Sequence, residues 1–509
     1  MPTPSHPPTL ISEPEPADEA PASPGGAPGA PPVNGGPTDA SLPPDAAEQV
    51  FSSGAEPQPH AGPPRRGPLG VLRHRHYRNV WIGALISSVG GWMEIVGVQW
   101  LMADQAASAM MMAWLAAAQL APMLVLGVWG GLVADRVNRK RLILITQTLL
   151  MLIAAGLAFS AHFGLTHPMV LLAFGALNGV TMAFNVPAWQ VQTPRLVPRD
   201  ELTSAIHLNG LQFNLARVIG PALAGALMAL FGPTVLFAIN AVSFLGVIVA
   251  IAGTPDAPAP PPAPGNAWQR TREAVSFVFH RPGPRAVFIG MVVFAALAAP
   301  LVRLMPLFVR SVYPTDGWVY RRLSRGLNGL EAREAAFGLL LAVMGVGAVA
   351  GVALLKFIPK WYPKHHFIPL AIACAGASIV VFCLARTLEG ALAAVFFCGV
   401  FWLWSLNSSF AAMQVLVDDR MRGRVLAVCN VAVFGAMPLG SLAAGAIDDL
   451  GAGTAAAVGV LGAALAAAGL VMLVWRTPEV DGIAPGEPGH ARRAGLLAGI
   501  TARAHRPRF

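Results

Sequence analysis

Residues 130–141 read GGLVADRVNRKR, where one apolar run gives way to a basic loop and a second apolar run begins. The runs cover 109–134 and 141–162, and each can cross about 30 Å of hydrocarbon at about 1.5 Å per residue. Basic residues concentrate in short loops beside membrane helices. The stretch therefore predicts two membrane helices joined by a tight polar turn.

The same alternation recurs along the whole chain. Six runs precede a proline-rich segment, and six follow it. The predicted spans, numbered 1 to 12 in chain order, cover 79–102, 109–134, 141–162, 167–189, 203–231, 234–253, 286–310, 336–357, 367–386, 389–412, 425–447 and 453–475. The sequence predicts an all-α integral membrane protein with twelve transmembrane helices in two six-helix bundles.

Composition agrees with a membrane protein. Of the 509 residues, 55% are apolar and 12% are charged, against about a quarter charged in soluble domains. We predict a disordered, acidic, Pro/Ala-rich tail at 1–67, an N-terminal bundle at 70–253, a linker at 254–285, a C-terminal bundle at 286–475 and a basic tail at 476–509. The linker carries Trp268, Val275 and Phe279 at helical spacing, which fits an amphipathic helix on the membrane surface or one packed against the span ends.

The distribution of the positive charge indicates how the chain is oriented in the membrane and does not indicate nucleic-acid binding. With both termini in the cytoplasm, 27 of the 35 lysines and arginines fall in cytoplasmic segments and 6 in external ones. Residues 311–335, after span 7, form an unusually basic external insertion. We therefore expect a multi-pass protein of the bacterial inner membrane with both termini cytoplasmic.

An internal repeat relates the two halves. At an offset of 220 residues, Gly220 matches Gly440, and Ala224-Gly225-Ala226 matches Ala444-Gly445-Ala446. Spans 5 and 11 are therefore equivalent members of two homologous bundles. Parallel repeats with a midplane substrate site between them are typical of secondary transporters.

The loop after span 2 resembles the cytoplasmic signature of the major facilitator superfamily, G-x-x-x-D-R-x-x-R-[KR]-[KR]. The matching residues are Gly131, Asp135, Arg136, Arg139, Lys140 and Arg141. The resemblance implies a conformational latch, in which Asp135 meets the positive N-terminus of span 11 near Gly423. An ordinary basic loop is the alternative, although it would need neither Gly131 nor Asp135.

Span 5 contains FNLARVIGPALAGAL at 213–227, which resembles the antiporter motif of facilitator-type exporters. The motif residues are Ala216, Gly220, Pro221, Ala224 and Gly225, with alanine replacing glycine at 216 and 224. Pro221 removes a backbone hydrogen bond, and the small residues permit close packing against span 8. The resemblance implies export, while generic small-residue packing is the alternative.

Wider stretches resemble one branch of that superfamily, the enterobactin exporters and macrolide-efflux-like proteins called transmembrane secretion effectors. They include RNVWIGALISSVGGWMEIVGVQWL at 78–101 and DDRMRGRVLAVCNVAVFGAMPLGSLAAGAI at 418–447. The resemblance covers about 70–475 and implies a secondary active exporter that works by alternating access. The chain departs from it in the acidic tail, in the basic insertion, and in having no arginine in span 4.

Charges inside spans mark candidate functional residues, because each costs about 2.5–3.5 kcal/mol near a helix centre. We expect Glu94 to be the protonatable coupling carboxylate and Arg217 to contact substrate or modulate Glu94. A structural ion pair between Glu94 and Arg217 is the alternative. Arg303 is a further candidate, for which a side chain directed outward to the membrane surface is the alternative. Polar and aromatic candidates for the cavity wall are Trp92, Gln99, Asn178, Asn185, Gln212, Asn214, Trp402 and Asn407.

No pattern for an enzyme stands out. The sequence contains neither a nucleotide-binding P-loop nor a cluster of metal ligands, so we expect no cofactor and no metal site. The expected partners are membrane lipid, a small amphipathic or aromatic substrate of siderophore-like or drug-like character, and protons, with the chain acting as a monomer. A facilitator-type importer, or a transporter of lysophospholipids or other solutes, is the alternative, and a non-transporting membrane sensor or scaffold is a further class.

Overall fold

The structure is a computed structural model that describes residues 68–106, 108–192, 196–198, 201–255, 267–313, 317–358 and 364–474. The predicted tails at 1–67 and 476–509 lie outside these residues. A 3₁₀ turn at Pro68–Arg73 leads into the first half. Its spans 1 to 6 are Arg75–Ala106, Ala109–Arg136, Arg139–His162, Pro168–Gln192, Leu202–Phe231 and Pro233–Ala252.

The second half follows a linker helix at Ala267–His280. Its spans 7 to 12 are Pro282–Ser311, Gly329–Leu355, Lys364–Leu384, Leu388–Leu416, Asp419–Ile447 and Thr454–Val474. A short helix, Trp318–Leu323, lies between spans 7 and 8, and a π-helical turn, Asp448–Ala452, follows span 11. Among the described residues, twelve helices are long and apolar enough to cross a membrane, which confirms the predicted fold class.

Several helices continue beyond their apolar runs. Span 1 extends from the predicted 79–102 to Arg75–Ala106, and span 7 begins at Pro282 instead of 286. Proline is favoured in the first helical turn, where no backbone N–H is needed, and Pro233 and Pro282 both stand there. Hydropathy marks the part of a helix that crosses lipid, whereas backbone hydrogen bonds carry the helix further into the polar region.

The two halves contact each other at glycines that occupy equivalent positions in the internal repeat. Gly225 of span 5 lies so close to Gly338 of span 8 that a Cβ on Gly225 would stand 2.7 Å from the Gly338 Cα. The equivalent Gly445 of span 11 lies against span 2, where its Cβ would be 2.8 Å from the Met110 Cα. Spans 5 and 8, and spans 11 and 2, therefore form the two corresponding interfaces.

The second repeated glycine makes the corresponding contact inside each half. Gly220 packs on Trp92 and Val89 of span 1, and Gly440 packs on the Ala296 backbone of span 7. Because a side chain at either position would overlap its neighbour, glycine allows these helices to approach closely. The sequence repeat is thus also a repeat of helix contacts.

The ends of the bundle differ in how closely the halves approach. We name the end where span 1 begins and span 12 finishes the terminal end, and the other the opposite end. Gly225, Gly338, Gly445 and Met110 all lie toward the opposite end, where the halves are in contact. Within the described residues, spans 4 and 5 make no more than marginal contact with spans 10 and 11. The halves therefore separate toward the terminal end.

The linker helix packs against the second half. Ala274 and Val278 are fully buried in the main core, while Val275 and Phe279 remain exposed on its other side. Glu273 pairs with Arg424 at the start of span 11, 3.3 Å between Oε2 and Nη1. The sequence allowed an amphipathic helix on the membrane surface or a helix packed against the ends of the spans. The buried face of this helix packs against the span ends.

Candidate functional site

Glu94 is a buried carboxylate in the core of the first half, with 8% of its surface exposed. Asn178 of span 4 donates its Nδ2 hydrogen to Oε1 across 3.2 Å, and Asn240 of span 6 donates to Oε2 across 2.5 Å. Among the described residues, no cation pairs with Glu94. The Glu94 carboxylate therefore accepts hydrogen bonds from two neutral amides. Glu94 can gain or lose a proton without breaking an ion pair.

Gly90 makes room for one of these amides. It precedes Glu94 by about one helical turn, and a Cβ there would stand 2.5 Å from Oδ1 of Asn240 and 2.8 Å from Oγ of Ser243. The Ser243 hydroxyl donates to the Asn240 backbone carbonyl across 2.7 Å and also lies 3.3 Å from the Asn240 side-chain oxygen Oδ1. The small residue in span 1 and the hydroxyl in span 6 thus fix the position of the Asn240 side chain.

Arg217 reaches from span 5 of the first half to span 10 of the second. Its guanidinium carbon lies 6.0 Å from the centroid of the Trp402 ring, in cation–π geometry. Trp402 also makes an edge-on contact with Phe294 of span 7, with 5.1 Å between centroids. In the part of the chain that the structure describes, Arg217 forms neither a hydrogen bond nor the expected alternative, an ion pair with Glu94.

Arg303 makes the converse crossing, from span 7 of the second half to span 2 of the first. Its Nη1 donates to Oε1 of Gln119 across 3.0 Å. Gln119 packs against two glycines of span 4. Its side-chain Cγ would lie 3.3 Å from a Cβ added to Gly175, and its backbone carbonyl oxygen lies against Gly179. The Arg303 head group is therefore placed at the boundary between the halves rather than directed outward.

These charged residues lie well inside the bundle. Counted at about 1.5 Å per residue from the helix ends Ala106, Phe231 and Ser311, Glu94 is about 18 Å, Arg217 about 21 Å and Arg303 about 12 Å from the opposite end. Arg217 and Arg303 are half-buried, so both retain accessible surface at this depth. The boundary between the halves is thus lined at mid-depth by two guanidinium groups.

Several of the predicted wall residues instead hold helices together within the first half. Asn185 donates to Thr146 of span 3 across 2.8 Å, and Gln212 donates to Ser88 of span 1 across 2.9 Å. Asn214 donates to the Gly210 carbonyl oxygen of its own helix. These amides satisfy local hydrogen bonds.

The other predicted wall residues fall into different environments. Trp92 packs on Gly220 and has an edge-on contact with Phe213, with 6.1 Å between centroids. Gln99 is 1% exposed, and neither of its side-chain polar atoms has a hydrogen-bond partner among the described residues. Asn407, in contrast, is exposed.

Neither glycine of the predicted latch packs against another helix in the described structure. A Cβ added to Gly131 or to Gly423 would have nothing within 4 Å in the described structure. The side chains of Asp135 and Arg136 lie outside the described residues. Arg139 is buried, Lys140 donates to the Thr254 carbonyl oxygen across 2.7 Å, and the backbone N–H of Arg141 is capped by Asn138.

The span 5 motif faces two helices at once. Ala216 and Ala224 are fully buried, and Gly220 contacts span 1 while Gly225 contacts span 8. The carbonyl oxygen of Pro221 would lie 3.0 Å from a Cβ on Gly338. The motif therefore packs span 5 against span 1 within the first half and also against span 8 of the second half.

Three functionally placed residues were not among the sequence candidates. Asn240 and Gln119 hold Glu94 and Arg303, and Asp104 forms an ion pair with Arg310 across the halves at the opposite end. Arg310 also lies 6.0 Å from the Trp100 ring centroid. A polar residue inside an apolar span was the available signal for Asn240 and Gln119; Asp104 lay just beyond the predicted end of span 1.

The fold and the site define a class: a helical membrane transporter whose two homologous halves enclose a polar midplane region. The family model described as transmembrane secretion effector matches residues 66–490. The chain belongs to this family of the major facilitator superfamily. It is a multi-pass protein of the bacterial inner membrane, and its family and relatives are transporters and not enzymes.

Three characterised relatives align at low identity. The chain is 23% identical to the staphyloferrin A transporter of Staphylococcus aureus, over 70% of this chain and 85% of that protein. It is 25% identical to the multidrug efflux pump Tap of Mycolicibacterium fortuitum, over 76% of this chain and 90% of that pump. The match to the enterobactin exporter EntS of Salmonella typhimurium, 26% identical, covers 46% of this chain and only 58% of the exporter.

Solved structures share the fold. The inward-facing, unoccupied structure of a bacterial homologue of the human lysosomal transporter Spinster superposes with a TM-score of 0.56 at 15% identity, covering 79% of this chain and 95% of the homologue. The nucleoside transporter NupG superposes with a TM-score of 0.65 at 10% identity, covering 79% of this chain and all of NupG. Both similarities concern the fold.

Proposed function

We propose that this protein is a proton-coupled exporter of a small amphipathic or aromatic molecule, siderophore-like or drug-like, and that it acts as a monomer by alternating access. The observation that carries the proposal is Glu94, a mid-depth carboxylate that is held by Asn178 and Asn240 and has no cationic partner among the described residues. A carboxylate in this environment can bind and release a proton while its two amide neighbours stay in place. The names of the relatives, a siderophore transporter, a siderophore exporter and a drug efflux pump, support the choice of substrate.

The terminal end faces the cytoplasm in this proposal, as the distribution of lysine and arginine favours. The halves contact each other toward the opposite end, and Gly131 and Gly423 stand in open space at the terminal end. The conformation is then inward-facing, the state in which an exporter takes up its substrate. Asp135 and the start of span 11 near Gly423 come together when the protein turns outward.

Everted membrane vesicles test the proposal. Their pH gradient, followed with a quenched acridine dye, should partly collapse when a transported compound is added, and the panel should include aromatic dyes and catecholate and hydroxamate chelators. Glu94→Gln should abolish the collapse but retain substrate exchange without a gradient. Glu334→Gln is the matched control, because Glu334 is also buried, at 5% exposure, but lies near the start of span 8. Full proton-driven transport by Glu94→Gln would refute the coupling role, and uptake in right-side-out vesicles would indicate import.

A further inference from the structure

The two guanidinium groups at mid-depth form a reciprocal arrangement across the boundary between the halves. Arg217 belongs to the first half and lies over Trp402 of the second. Arg303 belongs to the second half and donates to Gln119 of the first. Each half therefore presents one cation to the space it shares with the other, and each cation is positioned by an uncharged side chain.

Neither cation is neutralised by a carboxylate in the part of the chain that the structure describes. Glu94 is held by Asn178 and Asn240 inside the first half. Asp104 pairs with Arg310, and Glu334 lies near the beginning of span 8, so both belong to the opposite end. Burying charge without a counter-charge is costly. The excess of positive charge at mid-depth thus calls for an anionic ligand or for water.

Arginine suits recognition of an anionic oxygen group. Its planar guanidinium presents five N–H donors and binds carboxylates in bidentate geometry, and its flat face can rest on an aromatic ring at the same time. The guanidinium carbon of Arg217 is 6.0 Å from the centroid of the Trp402 ring, and the N–H donors of Arg217 have no hydrogen-bond partner among the described residues. Gln119 uses Nη1 of Arg303, which leaves its other donors for a ligand.

We infer that Arg217 and Arg303 form a two-point site for the anionic oxygen groups of the transported molecule, which is an amphipathic carboxylic acid. Its flat apolar part lies at the accessible edge of Trp402, which is 7% exposed. The buried ring of Phe294 supports Trp402 from behind in an edge-to-face contact, with 5.1 Å between the ring centroids. The inference rests on the proposed export function and narrows its substrate class from amphipathic molecules in general to anions. It assigns Arg303 a substrate contact instead of an outward-directed position.

The difference in depth between the two residues gives the separation that the ligand must bridge along the bundle axis. Arg217 lies about 9 Å further from the opposite end than Arg303, counted at about 1.5 Å per residue along their helices. A molecule with two carboxylates, or with a carboxylate and a second anionic oxygen, can reach both. Because the cations come from different halves, such a molecule binds only when the halves hold both at the right separation.

Binding to the purified full-length protein in a neutral detergent tests the inference without any ion gradient. The probes are 2-naphthoate, its dicarboxylate 2,6-naphthalenedicarboxylate, and the dimethyl ester of the latter, which keeps the flat body but carries no charge. Affinity is read from the shift of the thermal unfolding midpoint with ligand concentration. We expect the dicarboxylate to bind at least tenfold more tightly than its ester, and the monocarboxylate to fall between them.

The variants are Arg217→Gln and Arg303→Gln, each with its lysine counterpart, and Arg321→Gln as a control at an exposed arginine of the external insertion. Each glutamine variant should weaken dicarboxylate binding about tenfold, the lysine variants less, and none should change ester binding more than about twofold. Loss of acid and ester binding alike, or equal affinity of wild type for acid and ester, would overturn the inference.

The outcome separates this inference from the proposed function. Arginine-dependent binding of the acids without proton-driven transport would leave the anion site in place and refute the coupled exporter. Proton-driven export of cationic dyes that is unchanged in Arg217→Gln and Arg303→Gln would support the exporter and overturn the anion site. If a glutamine variant does not fold, its lysine counterpart decides the result, because it keeps the charge and loses the planar fork.

Discussion

Asn240 donates its Nδ2 hydrogen to Oε2 of Glu94 across 2.5 Å and links span 6 to span 1 at the carboxylate proposed to carry protons. Asn240 is 1% exposed, and Gly90 provides the space that its side chain occupies. The amide can serve either protonation state, because its N–H donates to a carboxylate and its carbonyl oxygen can accept from a carboxylic acid. Asn240 is therefore a positioning residue for Glu94.

Replacing Asn240 with alanine should impair coupling more than folding. The variant leaves the buried Glu94 with one amide instead of two, and a hydrogen bond to a charged group contributes about 1.5–3 kcal/mol. We expect proton-driven transport to fall at least about tenfold, with substrate exchange in the absence of a gradient largely retained. Asn185→Ala is the control, because it removes a comparable buried amide that bonds Thr146 and does not touch Glu94. Equal losses in the two variants would mean that Asn240 acts only through stability.

The ion pair between Asp104 and Arg310 should help keep the opposite end closed. Asp104→Asn removes the attraction between spans 1 and 7, and because both side chains are partly exposed we expect a loss of at most about 1 kcal/mol. That corresponds to an increase of up to about fivefold in the ratio of protein open at the opposite end to protein open at the terminal end. Spin-label distances between the halves at the opposite end measure this ratio. The exchanged variant Asp104→Arg with Arg310→Asp should restore the wild-type distribution, and an unchanged distribution in Asp104→Asn would contradict the prediction.

The sequence was sufficient for the fold but not for the partners of its charged residues. Twelve apolar runs and a repeat that includes Gly220 and Gly440 define two bundles, because spanning hydrocarbon leaves few alternatives to helices. Glu94 and Arg217 were identifiable because charge within a span is rare. Their partners were not, since helical periodicity gives the face of a residue but not the helix that the face meets. The ion pair of Asp104 was missed because span 1 continues to Ala106, beyond its apolar run.

The contact between Gly225 and Gly338 should tolerate no side chain. Gly338→Ala would place a Cβ against the Gly225 backbone, and neither backbone can move without separating spans 5 and 8. Overpacking of this kind costs about 1–3 kcal/mol, so the thermal unfolding midpoint should fall and the opposite end should open more often. Gly246→Ala is the matched control: its Cβ would meet nothing within 4 Å, and alanine is the better helix former. Similar midpoints for the two variants would argue against close packing at Gly338.

Removing the predicted latch should favour the conformation seen here. Gly131 and Gly423 have open space around them at the terminal end of the described structure, so in our proposal the latch forms only when the halves close there. Asp135→Asn should therefore shift the population toward the terminal-open form and slow transport, while the thermal unfolding midpoint stays within about a degree of wild type. Gly131→Ala should act in the same direction, because its Cβ is harmless in the open form but occupies the space needed for close approach of span 11. The measurement is the distance between spin labels on spans 2 and 11 at the terminal end. A shorter average distance in either variant would show that the latch holds this end open instead of closed.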